Sequence, residues 1–156
     1  MKTAYVITVY LALAVPAATL SGDTGVVIIP AHQIESQLAQ LGPQATISGS
    51  SGSTLASFGN LALKLSVRTT SGGAEIHAHF DDLMIVEQGS ATLVTGGTVI
   101  DAKEGSDGET HGPGIQNGRS QTIAARDVII IAAGVPRQLL IAPHTIYSAM
   151  VAKVKE

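Results

Sequence analysis

From Asn60 onward the chain is written with a period of two. Leu61, Leu63, Leu65 and Val67 alternate with Ala62, Lys64, Ser66 and Arg68. Successive side chains of a strand point to opposite faces, so this segment reads as a strand with one face buried. Further extended runs follow at residues 75–80, 83–87, 91–94, 98–101, 122–124, 128–131, 138–141 and 146–151. Ser71-Gly72-Gly73, Gly89 and Gly96-Gly97 punctuate them. Residues 102–120 form a polar, Gly-rich stretch in which Asn117-Gly118 is a hairpin-turn signal. Roughly eight to ten short strands with turns this frequent predict an all-β sandwich, jelly roll or barrel.

The segment before Asn60 has a different character. Residues 26–29 are a β-branched run closed by Pro30. In residues 31–41, Ile34, Leu38 and Leu41 recur at helical spacing, and Gly42-Pro43 is expected to end the helix. Residues 48–53 (SGSSGS) read as a flexible connector. At the front, Lys2 precedes an apolar run over residues 5–15, and Val15-Pro16-Ala17 supplies small residues for cleavage after Ala17. That is the pattern of an export signal, too short to span a bilayer. The expected organisation is a signal peptide over 1–17, a strand, helix and linker over 18–59, and a barrel over 60–156. The expected location is periplasmic or secreted, with no stable membrane insertion once the signal is removed.

Composition narrows the function. Nine Lys and Arg against twelve Asp and Glu give a net charge of −3 with no basic run, which argues against nucleic acid as a partner. The absence of Cys excludes disulfides, thiolate metal sites and a thiol nucleophile. Few aromatics and no Trp leave no stacking platform for bases. A mean hydropathy of +0.32 is that of a folded chain rather than a disordered one.

The segment Glu75-Ile-His-Ala-His-Phe-Asp-Asp82 carries the densest chemistry. On a strand, Glu75, His77 and His79 would project from one face. A carboxylate and two imidazoles facing inward suit a divalent metal such as Zn, Mn, Fe, Ni or Cu, and Asp82 would add a ligand from beyond the bend. Facing outward, the same row is simply solvated. His111 lies in the polar stretch, His32 on the polar side of the helix and His144 in a turn after Pro143, and none is assigned a role. Residues 101–109 lack the residue order of a calcium loop, and no Gly-x-Ser-x-Gly elbow occurs.

Residues 75–89 (EIHAHFDDLMIVEQG), running on into SATLVTGG, resemble the first motif of the cupin superfamily. Residues 126–138 (RDVIIIAAGVPRQ) resemble the second, whose usual form is Gly-Asp-x-x-x-Ile-Pro-x-Gly-x-Pro-His. The resemblance implies a double-stranded β-helix, or jelly-roll barrel, often dimeric. It places Asp82 where the motif carries a ligand Glu, seven residues before Gly89. Counting back from Gly89 puts the motif histidines at Glu75 and His77, whereas a shifted alignment uses His77 and His79. Arg137 stands where the second motif has its ligand His, and Ala132 where it has Pro. A guanidinium cannot ligate a metal.

Two readings follow from the resemblance. In one, His77, His79 and Asp82 hold a divalent metal and the chain is a dioxygenase, isomerase or lyase. Glu75 is then a further ligand or general base, and Arg137 orients a substrate anion. In the other, the metal site is lost and the barrel is a non-catalytic module binding or sensing a small molecule. Its pocket is lined by Leu61, Leu63, Met84, Val86 and Leu139, or by the opposite faces of those strands. A homodimer is expected in either case, with the β-branched run at 128–131 as a suitable contact.

Overall fold

The computed structural model describes residues 25–156; the expected export signal at 1–17 lies outside them. The chain opens with helix α1 (Ala31–Ser48) and continues as strands β1 (Ser50–Phe58), β2 (Leu61–Arg68), β3 (Ala74–His77), β4 (Phe80–Gln88), β5 (Ser90–Thr95) and β6 (Thr98–Val99). It ends with β7 (Lys103–Glu104), β8 (Glu109–Gly112), β9 (Ile115–Gln116), β10 (Arg119–Ala124), β11 (Val128–Ile131), β12 (Arg137–Leu140) and β13 (Tyr147–Lys155). Two antiparallel sheets form the barrel walls, in the orders β1-β2-β13-β4-β11 and β10-β5-β12-β3-β8-β7, while β6 and β9 pair separately.

The period-two alternation of β2 has two destinations. Leu65 and Val67 pack with Leu41 and Ala45 of α1 and with Leu55 of β1, and Leu63 lies against this cluster. Ser66 and Arg68, on the other face, line the barrel interior. The polar parity thus faces inward and the apolar parity anchors the helix. A second core between the sheets contains Met84, Val86, Leu93, Ile131 and Tyr147, with Leu139 against it. Of the two pocket linings expected from sequence, Met84 and Leu139 hold, while Leu63 turns to the helix.

Four local expectations are corrected. The helix does not end at Gly42-Pro43 but runs through Pro43 to Ser48. Proline removes one helical hydrogen bond, but the last turns bury Leu41 and Ala45 against the sheet, which offsets that loss. The helix stops at Gly49 (φ 84°), whose N–H donates to the Ala45 carbonyl at 2.7 Å, a left-handed cap that glycine adopts without strain. Residues 50–53 are not a linker: they begin β1, in register with Arg68 through Leu65 of β2. Residues 26–29 form no strand, because Pro30 leads directly into the helix. Asn117 does adopt the left-handed turn conformation, yet it closes no hairpin. It passes the chain from β9, paired with β6, to β10, paired with β5.

Gly89 turns the corner from β4 in one sheet to β5 in the other. Its φ is 76°, and a Cβ there would lie 2.1 Å from the Ile146 carbonyl oxygen. Only glycine fits that approach.

Candidate functional site

Three strand pairs bring the site together by register. Arg137 of β12 faces Glu75 of β3, His77 of β3 faces Glu109 of β8, and Lys153 of β13 faces Asp82 of β4. The loop before β12 is pinned so that Arg137 is delivered inward. The Ala133 N–H donates to Asp81 Oδ1 at 2.8 Å, and the Gly134 N–H donates to the His77 carbonyl at 2.9 Å. On the far side of Arg137, the Gln138 side-chain amide donates to the Gly72 carbonyl at 3.0 Å.

Asp82 is the centre of the cluster. Arg137 Nη2 stands 2.8 Å from its Oδ2, Lys153 Nζ 3.6 Å from its Oδ1, and His77 Nε2 3.6 Å from its Oδ2. Burial pushes the Asp82 carboxyl above its usual value, and the Lys153 charge pulls against that shift. Burial also lowers the Lys153 ammonium, opposed by Asp82, and lowers the Arg137 guanidinium to about 10, opposed by Glu75. Arg137 is only 7% exposed, and among the described residues neither Nη1 nor Nη2 has a hydrogen-bond partner of proper alignment. His77 Nδ1 contacts Glu109 Oε2, and its Nε2 is 3.9 Å from Glu75 Oε2.

Arg137, Glu75 and Asp82 border a cavity of about 120 Å³. Its apolar walls come from Met84, Leu93, Leu139 and Val151, and Arg68, Ser66 and Tyr147 add polar groups. An open groove bordered by Lys64, His77 and Lys153 shares Ser66, Arg68, Glu75, Asp82 and Val151 with the cavity. The Tyr147 hydroxyl is buried with no partner among the described residues, and burial pushes it up to about 12, against the pull of Arg68.

Glu75, His77, Asp82 and Arg137, anticipated from sequence, therefore meet. His79 does not join them. The strand ends at His77, and His79 sits exposed in the turn before β4, its ring beside Gly108. The alternation that would align it with Glu75 and His77 stops two residues short of it. Glu109, within the polar stretch 102–120, is paired in register with His77; the Glu109–His111 alternation is its only sequence signal. Lys153, Arg68 and Tyr147 carry no motif, because each is a single polar group near a strand end. His111 is exposed on β8, and His32 and His144 are exposed as well.

The donor set does not suit a divalent ion. Cations already approach both oxygens of Asp82, and one of them, Arg137, occupies the position where the motif has a ligand. His79 is turned away, exposed in the turn before β4. Among the described residues no three His, Asp or Glu side chains form a group that could hold a metal. The chemistry left to these groups is ionic and hydrogen-bonding recognition.

No protein-family profile matches the sequence, and no curated protein matches it. Solved structures do. BH2720 from Bacillus halodurans aligns with a TM-score of 0.57 at 16% identity, over 87% of this chain and 85% of that one. A recombinant oxalate oxidase in complex with glycolate aligns at 0.53 and 13%, over 75% of this chain and 56% of its own. A protein with a double-stranded β-helix domain from Klebsiella pneumoniae aligns at 0.51 and 13%, over 68% and 76%. This chain thus spans just over half the length of the oxidase. At these identities the likeness establishes the fold: the double-stranded β-helix of the cupin type that the two motifs implied.

Proposed function

We propose that the barrel binds a small organic acid, and that Arg137 receives its carboxylate without a metal. The observation that carries this reading is the buried Arg137 guanidinium, which borders the cavity with neither terminal nitrogen in a well-aligned hydrogen bond. Asp82 at 2.8 Å balances its charge, but a buried donor without an aligned acceptor is costly, and a ligand carboxylate supplies two such acceptors. The surrounding charge supports the same sign of ligand. Of the nine Lys and Arg in the chain, Lys64, Arg68, Arg137 and Lys153 border the cavity and its groove, against the carboxylates Glu75 and Asp82. The cavity is well below the roughly 300 Å³ at which drug-sized sites begin, so the acid is small. The same fold holds glycolate in the oxalate oxidase complex.

Calorimetric titration of the purified protein with short-chain carboxylates, before and after dialysis against a chelator, tests the reading. Binding that survives chelation and is lost in Arg137→Met supports it. Stoichiometric metal in chelator-free protein, with binding lost on its removal, overturns it and restores the metal-dependent enzyme. Export is a separate proposal, tested by whether the mature chain isolated from its host begins at Ala18.

A further inference from the structure

We infer that the cavity is built for a two-headed ligand, a short dicarboxylate, with Tyr147 and Arg68 as its second anchor. The inference rests on the carboxylate reading given above and adds the ligand's far end. Tyr147 is 1% exposed, yet it lines the cavity, and among the described residues its hydroxyl has no hydrogen-bond partner. A buried hydroxyl is normally satisfied, and this one remains a proton donor at any ordinary pH, because burial holds it in the neutral form. Arg68 faces Tyr147 in strand register and lines the same cavity.

The two anchors belong to different levels of the barrel. Along β13 the inward positions are Tyr147, Ala149, Val151 and Lys153; Tyr147 is level with Arg68, and Lys153 with Asp82. The guanidinium of Arg137 meets Asp82, six residues of strand from the Tyr147 level, or about 20 Å of backbone rise that the two long side chains shorten. Between them the walls are Ala149, Val151, Met84 and Leu139, which accept methylenes and no charge. An apolar waist between two unsatisfied donors matches a molecule with an oxyanion at each end and carbon between. A monocarboxylate of equal length would leave Tyr147 and Arg68 without a partner, and sites built around buried polar groups reject the analogue that lacks the matching group.

Titration with glutarate and with pentanoate, isosteric but for the second carboxylate, tests this. Glutarate is expected to bind at least about tenfold tighter, a difference of about 1.4 kcal/mol. In Tyr147→Phe and in Arg68→Gln the ratio of the two affinities should fall toward one. Equal binding of the two acids by the natural protein overturns the inference and leaves the carboxylate reading standing, as does a ratio that both variants preserve. Arg68→Gln gives the answer alone if Tyr147→Phe fails to fold. Failure of both acids to bind overturns the carboxylate reading and this inference with it.

Discussion

The guanidinium of Arg137 lies 2.8 Å from Asp82 Oδ2, and both side chains are almost wholly buried. This pair brings the two sheets together at the barrel mouth, since Arg137 is on β12 and Asp82 on β4. Arg137→Met leaves a buried carboxylate with only Lys153 and His77 near it, and truncating one member of a buried pair is costly. The expected loss is about 2–3 kcal/mol at neutral pH, read as a lower urea midpoint. Adding Asp82→Asn should return part of it, because the orphaned charge goes too.

Acid should treat Asp82 unlike most carboxylates. Its folded pKa is raised above 3.8, chiefly by burial. Between 3.8 and that raised value the folded chain binds more protons than the unfolded one, so this group's contribution to stability is greatest below 3.8 and declines as pH rises through the window. Denaturation midpoints measured across mildly acidic pH should show that component in the natural protein and lose it in Asp82→Asn.

Tyr147 is the only tyrosine beyond residue 10, so a chain processed after Ala17 reports on it alone. The phenolate absorbance of the folded protein should rise with a midpoint of about 12. Alkaline stability is a poorer readout. Between pH 10 and 12 the protonated Tyr147 makes stability fall with pH, whereas Arg137, lowered to about 10, makes it rise. A midpoint at the ordinary tyrosine value would show the hydroxyl to be solvated.

Gly89→Ala meets both a positive φ and the Ile146 carbonyl. The cost is expected to exceed about 2 kcal/mol. Thermal unfolding of the variant, compared with a substitution at exposed Gly59, separates this corner from a general effect of losing glycine.

Strand β11 is the outer edge of its sheet, with Val128 61% and Ile130 74% exposed. Such an edge is a template for pairing unless covered. We propose that it joins two copies of the chain. Sedimentation of Ile130→Lys should then give monomers with unchanged stability, against dimers for the natural protein.

Much of the architecture was legible from alternation alone. That alternate residues of β2 take opposite faces, and that Glu75 and His77 share one, follows from the pleat of a strand, which is local; which face looks inward does not. What was missed depended on partners distant in sequence. Helix α1 outlasts Pro43 because Leu41 and Ala45 find Leu65 and Val67, a gain that no local propensity contains. SGSSGS looked flexible because its residues are small and polar, but they are extended by pairing with β2. His79 was lost to a turn that ends the strand two residues before it. Glu109 and Lys153 were invisible because their meaning lies in cross-strand register with His77 and Asp82.

The divided parity of β2 has a practical outcome. Ser66 and Arg68 look toward the ligand space, while Leu65 and Val67 clamp α1. Substitutions that retune chemical selectivity are thereby insulated from those that hold the shell together. This barrel is a scaffold in which recognition can be rewritten at alternate positions of one strand while its hydrophobic seam stays intact.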